Sequence, residues 1–434
     1  MKEIEIKNVK GTFDYLPKEQ IIRNHVTNVL TEVFESFGYL PVVTPTLCYY
    51  DVLASKYGGG AEILKEVYQL SDQGERNLAL RYDLTVPFAK LITLTKDLTL
   101  PFKRYEIGKV FRDGPVKVGR NREFIQCDVD VVGVQDVLID AELISLYVMA
   151  FERLNISCTI DYNNRKLMTG LLQVCGVTDE QMVDVITVID KFKKLTKEEI
   201  IKEFLACGIT MEQIEKLYEY FRLGFEGVVE KFSHDANELI QKGIQELKEV
   251  EAYLSKAGIH KQANIDLTLA RGLNIYTGTV FEVFAHDSKV TSAIGGGGRY
   301  DKIITNFIAD GNEYPAVGCS FGLDAIVEVV KEHETKKSES LIDLFLIPLG
   351  TKTEAFLLAY ELRKRGVHVD IQYHERKLNK ILNSIDRLGI SYAVVLGEDE
   401  VSKGEITLKC FQDGSTHVFA IDAYDEIASL IQNF

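Results

Sequence analysis

The chain has 434 residues, 46% of them hydrophobic and 26% charged, and carries a formal net charge of −15. That length predicts about three domains, and the balance excludes a disordered or fibrous protein. The acidic total excludes nucleic-acid binding by bulk charge and leaves only a local basic surface for that role. The opening residues, MKEIEIKNVKGTFD, hold no apolar core of signal-peptide length, and no run reaches the roughly 18 apolar residues of a membrane span. A cytoplasmic protein with no membrane partner is expected. Seven scattered cysteines without a CxxC pair and eight dispersed histidines without HxxxH provide neither a disulfide framework nor a zinc ligand set. No metal site is predicted.

Along the chain, Ile21, Ile22, Val26, Val29, Leu30, Val33 and Phe37 recur at helical spacing over 18–37, and Gly38 follows as a C-cap. YLPVVTPTL comes next. Its Pro41 and Pro45 restrict a strand to a sheet edge or a subunit interface. LALRYDLTVPF (78–88) and FKRYEIGKVFR (102–112) alternate as strands and lead through a cationic loop to REFIQCDVDVV, which predicts a mostly antiparallel sheet. Residues 179–256 read as successive helical windows, a helical insertion. Strand-like chain returns over 264–285 and is broken by GGGG at 295–298. KEHETKKSES (331–340) is a charged linker. Beyond it DLFLIPLG, VHVDIQY and SYAVVLG alternate with helices at 353–365 and 376–388, as parallel βαβ units do. The basic groups ELRKRG and ERKLNK lie there, and solvated helix faces are their default reading.

The chemistry concentrates in FRDGPVKVGRNREFIQCDVDVVG (111–133), where four cations run into two carboxylates on a strand. There is no GxxxxGK[ST], and the glycine runs at 58–60 and 295–298 lack a trailing Lys, so tight turns are their better reading. A nucleotide here would be gripped by arginines, whose planar forks match phosphate oxygens; Arg112, Arg120, Arg122, Arg271 and Arg299 are the candidates. Alternation puts Gln126, Asp128 and Asp130 on one face of their strand. Asp83, Thr85 and Tyr276 are further polar groups on predicted strands. Plain solvent is the competing reading of such a face.

RYDLTVPFA, FKRYEIGKVFR, REFIQCDVD, LARGLNIYTGTVFE, GGGGRYD and PAVGCSFGLDAI stand in the order found in histidyl-tRNA synthetases, and the chain resembles that class II aminoacyl-tRNA synthetase family from VKGTFDYLP to its end. It is most similar to the branch that includes the eukaryotic enzymes, or to a second bacterial copy. The resemblance implies an α+β fold: an antiparallel catalytic sheet with helices, a helical insertion, and a C-terminal α/β anticodon-binding domain. The boundaries implied are 1–165 and 259–330 for the catalytic domain, 166–258 for the insertion, 331–340 for the linker and 341–434 for the anticodon domain. It also implies a homodimer that uses residues 18–47 as its interface.

By the same resemblance the substrates are histidine, ATP with Mg²⁺, and tRNA(His). Arg112 would hold the α-phosphate, Phe124 would stack on adenine, and Arg120 and Arg122 would meet the triphosphate and the tRNA end. Asp83, Thr85 and Gln126 match positions that take the histidine ammonium. Asp130 and Tyr276 match those that hydrogen-bond the imidazole, Arg271 matches the family's catalytic arginine, and Tyr300 lies on the pocket wall. A histidine ligand needs acceptors and donors at fixed places, and such a polar pocket rejects apolar analogues without editing.

The chain departs from the family pattern at three places. Ala325 stands where motif 3 has an arginine for the γ-phosphate, Asn274 and Ile275 replace the usual Asp and Tyr, and Gly114 replaces a glutamate that meets adenine, with Asp113 beside it. These departures sustain an alternative expectation, a synthetase paralogue acting as a histidine- or tRNA-binding regulatory protein.

Overall fold

The computed structural model describes residues 5–54, 62–95, 97–117, 119–234, 236–272, 275–333, 340–374 and 376–433. Two compact units make up the chain, Met1–His333 and Glu334–Phe434. Most of the linker at 331–340, the glycines at 58–60 and Asn274 lie outside the described residues.

The first unit opens with the helix Pro17–Ser36, which starts on a proline and buries Ile22, Val26, Leu30, Val33 and Phe34. Gly38, at φ +79°, ends it in the left-handed region that the sequence requires of a C-cap. Strand β1 (Leu40–Pro41) follows, then a small sheet of β2 (Leu47–Tyr49), β3 (Gln69–Ser71) and β4 (Asn77–Leu80) in the order β2-β4-β3. The main sheet adds β5 (Phe102–Phe111), β6 (Glu123–Val132), β7 (Cys158–Asn164), β8 (Ala263–Ile265), β9 (Thr279–Ala285), β10 (Gly295–Arg299) and β11 (Ala316–Gly322). Its order is β1-β5-β6-β11-β10-β9-β7-β8, antiparallel throughout except for β1 on β5 and β7 on β8 at the two edges.

Cys127, Val129 and Val131 turn one face of β6 into the core beneath the helices Pro17–Ser36 and Leu138–Arg153. Residues 179–256 form the helices Asp179–Ile189, Lys197–Ala206, Met211–Lys231 and Glu238–Lys256, as their periodicity predicts. Capping boxes start three of them: Gln181 Oε1 accepts from Thr178 N at 3.2 Å, Glu199 Oε2 from Thr196 N at 2.8 Å and Gln213 Oε1 from Thr210 N at 2.8 Å. Their apolar faces, through Ile186, Phe204, Leu217 and Leu247, join the same buried cluster as Val129 and Phe321.

Three local expectations are corrected. Residues 78–88 are not one strand, because β4 stops at Leu80 and Thr85–Leu94 is a helix whose first turn is tied by Val86 N donating to Asp83 Oδ1 at 3.1 Å. A short apolar run fits either period, and here the capping carboxylate decides. Residues 264–285 form two strands with a loop between them, so Tyr276 is on a loop. The GGGG run, expected as a turn, is the body of β10. A Cβ at Gly297 would lie 2.1 Å from Gly318 O, and one at Gly295 2.7 Å from Tyr147 Cε1, so glycine alone lets this strand sit between its neighbours.

The second unit is a five-stranded sheet, β12 (Leu344–Leu349), β13 (Val369–Ile371), β14 (Tyr392–Gly397), β15 (Glu405–Cys410) and β16 (Thr416–Ala420), in the order β13-β12-β14-β15-β16. β12, β13 and β14 are parallel, as the alternation predicts, and β15 and β16 close the edge antiparallel. Leu346, Leu358, Leu362, Val394 and Leu408 centre its separate core.

Candidate active site

The two long strands of the main sheet set charge against charge. In their register Arg104 faces Asp130, Glu106 faces Asp128 and Gly108 faces Gln126. Arg104, wholly buried, places Nη2 2.7 Å from Asp130 Oδ2 and donates to Leu84 O at 3.1 Å, with its guanidinium 4.3 Å from the Phe88 ring centroid. Glu106 is held in turn by Arg81 Nη1 at 2.7 Å. A Cβ at Gly108 would fall 2.3 Å from Arg81 Nη2, so this glycine admits the arginine. Buried charges need such partners, because desolvation leaves an isolated one several kcal/mol uphill.

From the other side Tyr300 donates its hydroxyl to Asp130 Oδ1, and burial together with that carboxylate pushes the phenol well above its ordinary range. Gln126 Nε2 donates to Ser320 Oγ at 2.9 Å and reaches Asp128 Oδ1 at 3.4 Å. Asp128 is buried beside Asp130. Burial, then the neighbouring negative charge, pushes its carboxyl up to about 7 against the opposing pull of Arg104 and the Ser320 hydroxyl; Asp83 adds a further upward push. The structure therefore brings Asp83, Gln126, Asp128, Asp130 and Tyr300 into one electrostatic neighbourhood. Thr85 opens the helix two residues beyond Asp83.

Farther along the same face of β6 lies Phe124. The Arg112 guanidinium sits 5.1 Å from its ring centroid, with Nε donating to Tyr82 O at 3.0 Å. The loop cations are anchored: Arg120 Nη2 reaches Glu66 Oε1 at 2.9 Å and Arg122 Nη2 reaches Asp113 Oδ1 at 2.9 Å. Glu66 also fills the space next to Gly114, where a Cβ would lie 2.7 Å from its Oε1. Ala325 is buried at the start of the helix Leu323–His333, 3.9 Å from where a Cβ at Gly119 would stand, so the loop tip covers this position.

Arg271 Nη1 donates to Glu282 Oε1 at 2.5 Å, and its guanidinium lies 5.7 Å from the Tyr276 ring centroid. Glycines of β10 make room for both: a Cβ at Gly296 would be 2.7 Å from Arg271 Nη1, and one at Gly298 3.0 Å from Tyr276 Cδ1. Ile275 packs with the cluster around Tyr300 and Ile303. Arg299 is withdrawn as a phosphate ligand. It is buried in an ion pair with Asp140 and donates to Val134 O at 2.9 Å and Asp136 O at 3.2 Å. Among the described residues no group of three His, Cys, Asp or Glu side chains is arranged to hold a metal.

Sequence reasoning missed Arg104, Glu66 and Glu282 as partners and left Asp128 without a role. Charges at alternate positions of the two strands show in the sequence, but that Arg104 opposes Asp130 follows only from the register.

Comparison with known proteins fits this arrangement. Residues 11–326 match the family model for histidyl-tRNA synthetase, and residues 343–430 match that for an anticodon-binding domain. Together these define an aminoacyl-tRNA synthetase. Histidine–tRNA ligase 1 of Bacillus cereus is 46% identical over 417 residues, spanning 95% of this chain and 94% of its own length. Histidine–tRNA ligase 2 of Shouchella clausii is 43% identical, spanning 96% and 98%. The crystal structure of histidyl-tRNA synthetase from a Nostoc species superposes with a TM-score of 0.85 at 30% identity, covering 99% of this chain and all of that one. The chain belongs to the histidyl-tRNA synthetase family.

Proposed function

We propose that the chain is a histidine–tRNA ligase that uses ATP to form histidyl-adenylate and passes the histidyl group to tRNA(His). One observation carries this reading. A single face of β6 presents an arginine–phenylalanine pair at Phe124 and a set of buried acceptors from Gln126 to Asp130. Adenine stacks on Phe124 and the α-phosphate meets Arg112. The histidine ammonium faces Asp83, Thr85, Gln126 and Asp128, and the imidazole meets Asp130, Tyr276 and Tyr300.

In the reaction the histidine carboxylate oxygen attacks the α-phosphorus and pyrophosphate leaves with the bridging electron pair. The terminal ribose hydroxyl of tRNA then attacks the acyl carbon and AMP departs. No protein nucleophile is needed. Arg112 and Arg271 stabilise the charge that builds on the phosphate oxygens, and the strand-borne acceptors hold the amino acid in line. Arg120 and Arg122, tied to Glu66 and Asp113 on the ATP side, exchange those carboxylates for phosphate oxygens. Magnesium, if carried in by the nucleotide, would share the phosphate charge that Arg112 and Arg271 face.

A homodimer is supported by exposed apolar residues at the β1 edge, Leu40 at 61% and Val43 at 87% exposure, followed by Leu47 and Tyr49. No helix among the described residues is long and apolar enough to cross a membrane. A cytoplasmic location belongs to the proposal. The deciding experiment is histidine-dependent ATP–pyrophosphate exchange by the purified protein, followed by charging of tRNA(His). Histidine binding without exchange would sink the ligase and leave a regulatory protein.

A further inference from the structure

Arg271 is carried by the stretch between β8 and β9, whose described residues form no helix or strand. Something else must fix its start. Asp266 does so internally, accepting from Thr268 N at 2.8 Å and Thr268 Oγ1 at 2.6 Å through Oδ1, while Asn163 Nδ2 holds Leu269 O at 2.9 Å. The second oxygen of Asp266 goes elsewhere. Lys193 Nζ lies 2.9 Å from Asp266 Oδ2, is bonded to Asp161 Oδ2 on β7, and stands 4.5 Å from the Phe284 ring centroid on β9. Lys193 belongs to the turn after the first insertion helix, Asp179–Ile189. Asp190, in that same turn, borders Gly272, the residue after Arg271, at 3.8 Å from its would-be Cβ.

We propose that Lys193 is a positioning residue for the proposed ligase: by joining Asp266 to Asp161 it lets the helical insertion set the place of Arg271. The inference rests on the ligase reading, because it gives Arg271 its task. The geometry favours this over a plain surface ion pair. The Lys193 side chain is 39% exposed, yet two carboxylates and an aromatic face converge on its one ammonium, and these neighbours raise its affinity for the proton against the desolvation that opposes it. The loop has other ties, all from the catalytic sheet and its flank: Asp266 N donates to Tyr162 O at 3.0 Å, Asn163 Nδ2 reaches Leu267 O at 3.3 Å, Leu267, Leu269 and Ala270 are buried, and Arg165 Nη1 reaches Arg271 O at 3.4 Å; Lys193 adds a tie from the helical insertion. A small displacement of a catalytic arginine costs rate more than binding. Any ligand that shifts the insertion would therefore be felt at Arg271.

The test compares wild type, Lys193→Met and Lys193→Arg in histidine-dependent pyrophosphate exchange. Lys193→Met is expected to lower kcat on the order of tenfold or more while KM for ATP and for histidine stays within about twofold, and Lys193→Arg is expected to restore most of kcat. A Lys193→Met enzyme with unchanged kcat, or one whose KM values rise in step with a fallen kcat, overturns the proposal. Amide hydrogen exchange supplies a second readout that needs no activity: residues 267–272 should exchange faster in Lys193→Met, with the helix Glu238–Lys256 unchanged. Unaltered exchange at 267–272 also overturns it. A silent wild type refutes the ligase reading, and the exchange data still decide whether Lys193 holds the loop.

Discussion

Tyr300 donates to one oxygen of Asp130 while Arg104 holds the other at 2.7 Å, so the carboxylate at the base of the acidic face is engaged on both sides by buried partners. Such a carboxyl group is fixed in direction before any ligand arrives. Asp130→Ala is expected to raise the KM for histidine by about 100-fold, the scale of one charged hydrogen bond, with little change for ATP. Equal losses for both substrates would remove the imidazole assignment. Arg104→Met strands Asp130 without its cation, while Glu106 keeps Arg81, and should destabilise the fold by about 3–5 kcal/mol, read from urea unfolding.

Asp128 gives the site a pH signature. Folded, it keeps its proton up to about 7, whereas the unperturbed group releases it near 3.8. Between these values the native state binds more protons than the unfolded chain, so this group's stabilising contribution is full at low pH and is lost as pH rises from about 4 to about 7. Asp128→Asn should therefore be more stable than wild type near pH 7.5, on the order of a few kcal/mol, and the two should converge near pH 4. A histidine ammonium placed beside Asp128 should also release a proton on binding near pH 6.5. Calorimetry in buffers of different ionisation enthalpy measures that proton, and its absence would place the ammonium elsewhere.

Gly318 faces Asp130 across the β6–β11 pair, and a Cβ there would stand 2.0 Å from Asp130 Oδ1. Gly318→Ala must push the carboxylate away from Arg104 and Tyr300. A loss of about 1–3 kcal/mol in thermal unfolding is expected, together with weakened histidine binding; retained affinity would show that Asp130 can move freely.

Ala325→Arg restores a cation beside the loop tip at Gly119. Exchange is expected to rise severalfold with KM for ATP lowered. An unchanged rate would mean that Lys117, Arg120 or Arg122 already meets the terminal phosphate.

Much of this was legible in the sequence because β6 is long and one-sided. Period-2 alternation separates Cys127, Val129 and Val131 from Gln126, Asp128 and Asp130 without any knowledge of neighbours, and the Thr-initiated insertion helices announce themselves by their caps. What failed was local ambiguity. RYDLTVPF reads equally as strand or helix, and only the cap from Asp83 resolves it. Arg104 and Glu66 were out of reach for a different reason. Their roles come from strand register and from a contact made by a distant segment, neither of which a linear pattern encodes.

Strand β10 has a consequence for the energetics of folding. Four successive glycines have wide backbone freedom in the unfolded chain, and fixing them in a strand costs roughly 0.5–1 kcal/mol each beyond alanine. No side-chain burial offsets it. The protein thus sacrifices roughly 2–4 kcal/mol of conformational entropy to have, between β9 and β11, a floor of bare backbone against which Arg271 and Tyr276 can lie.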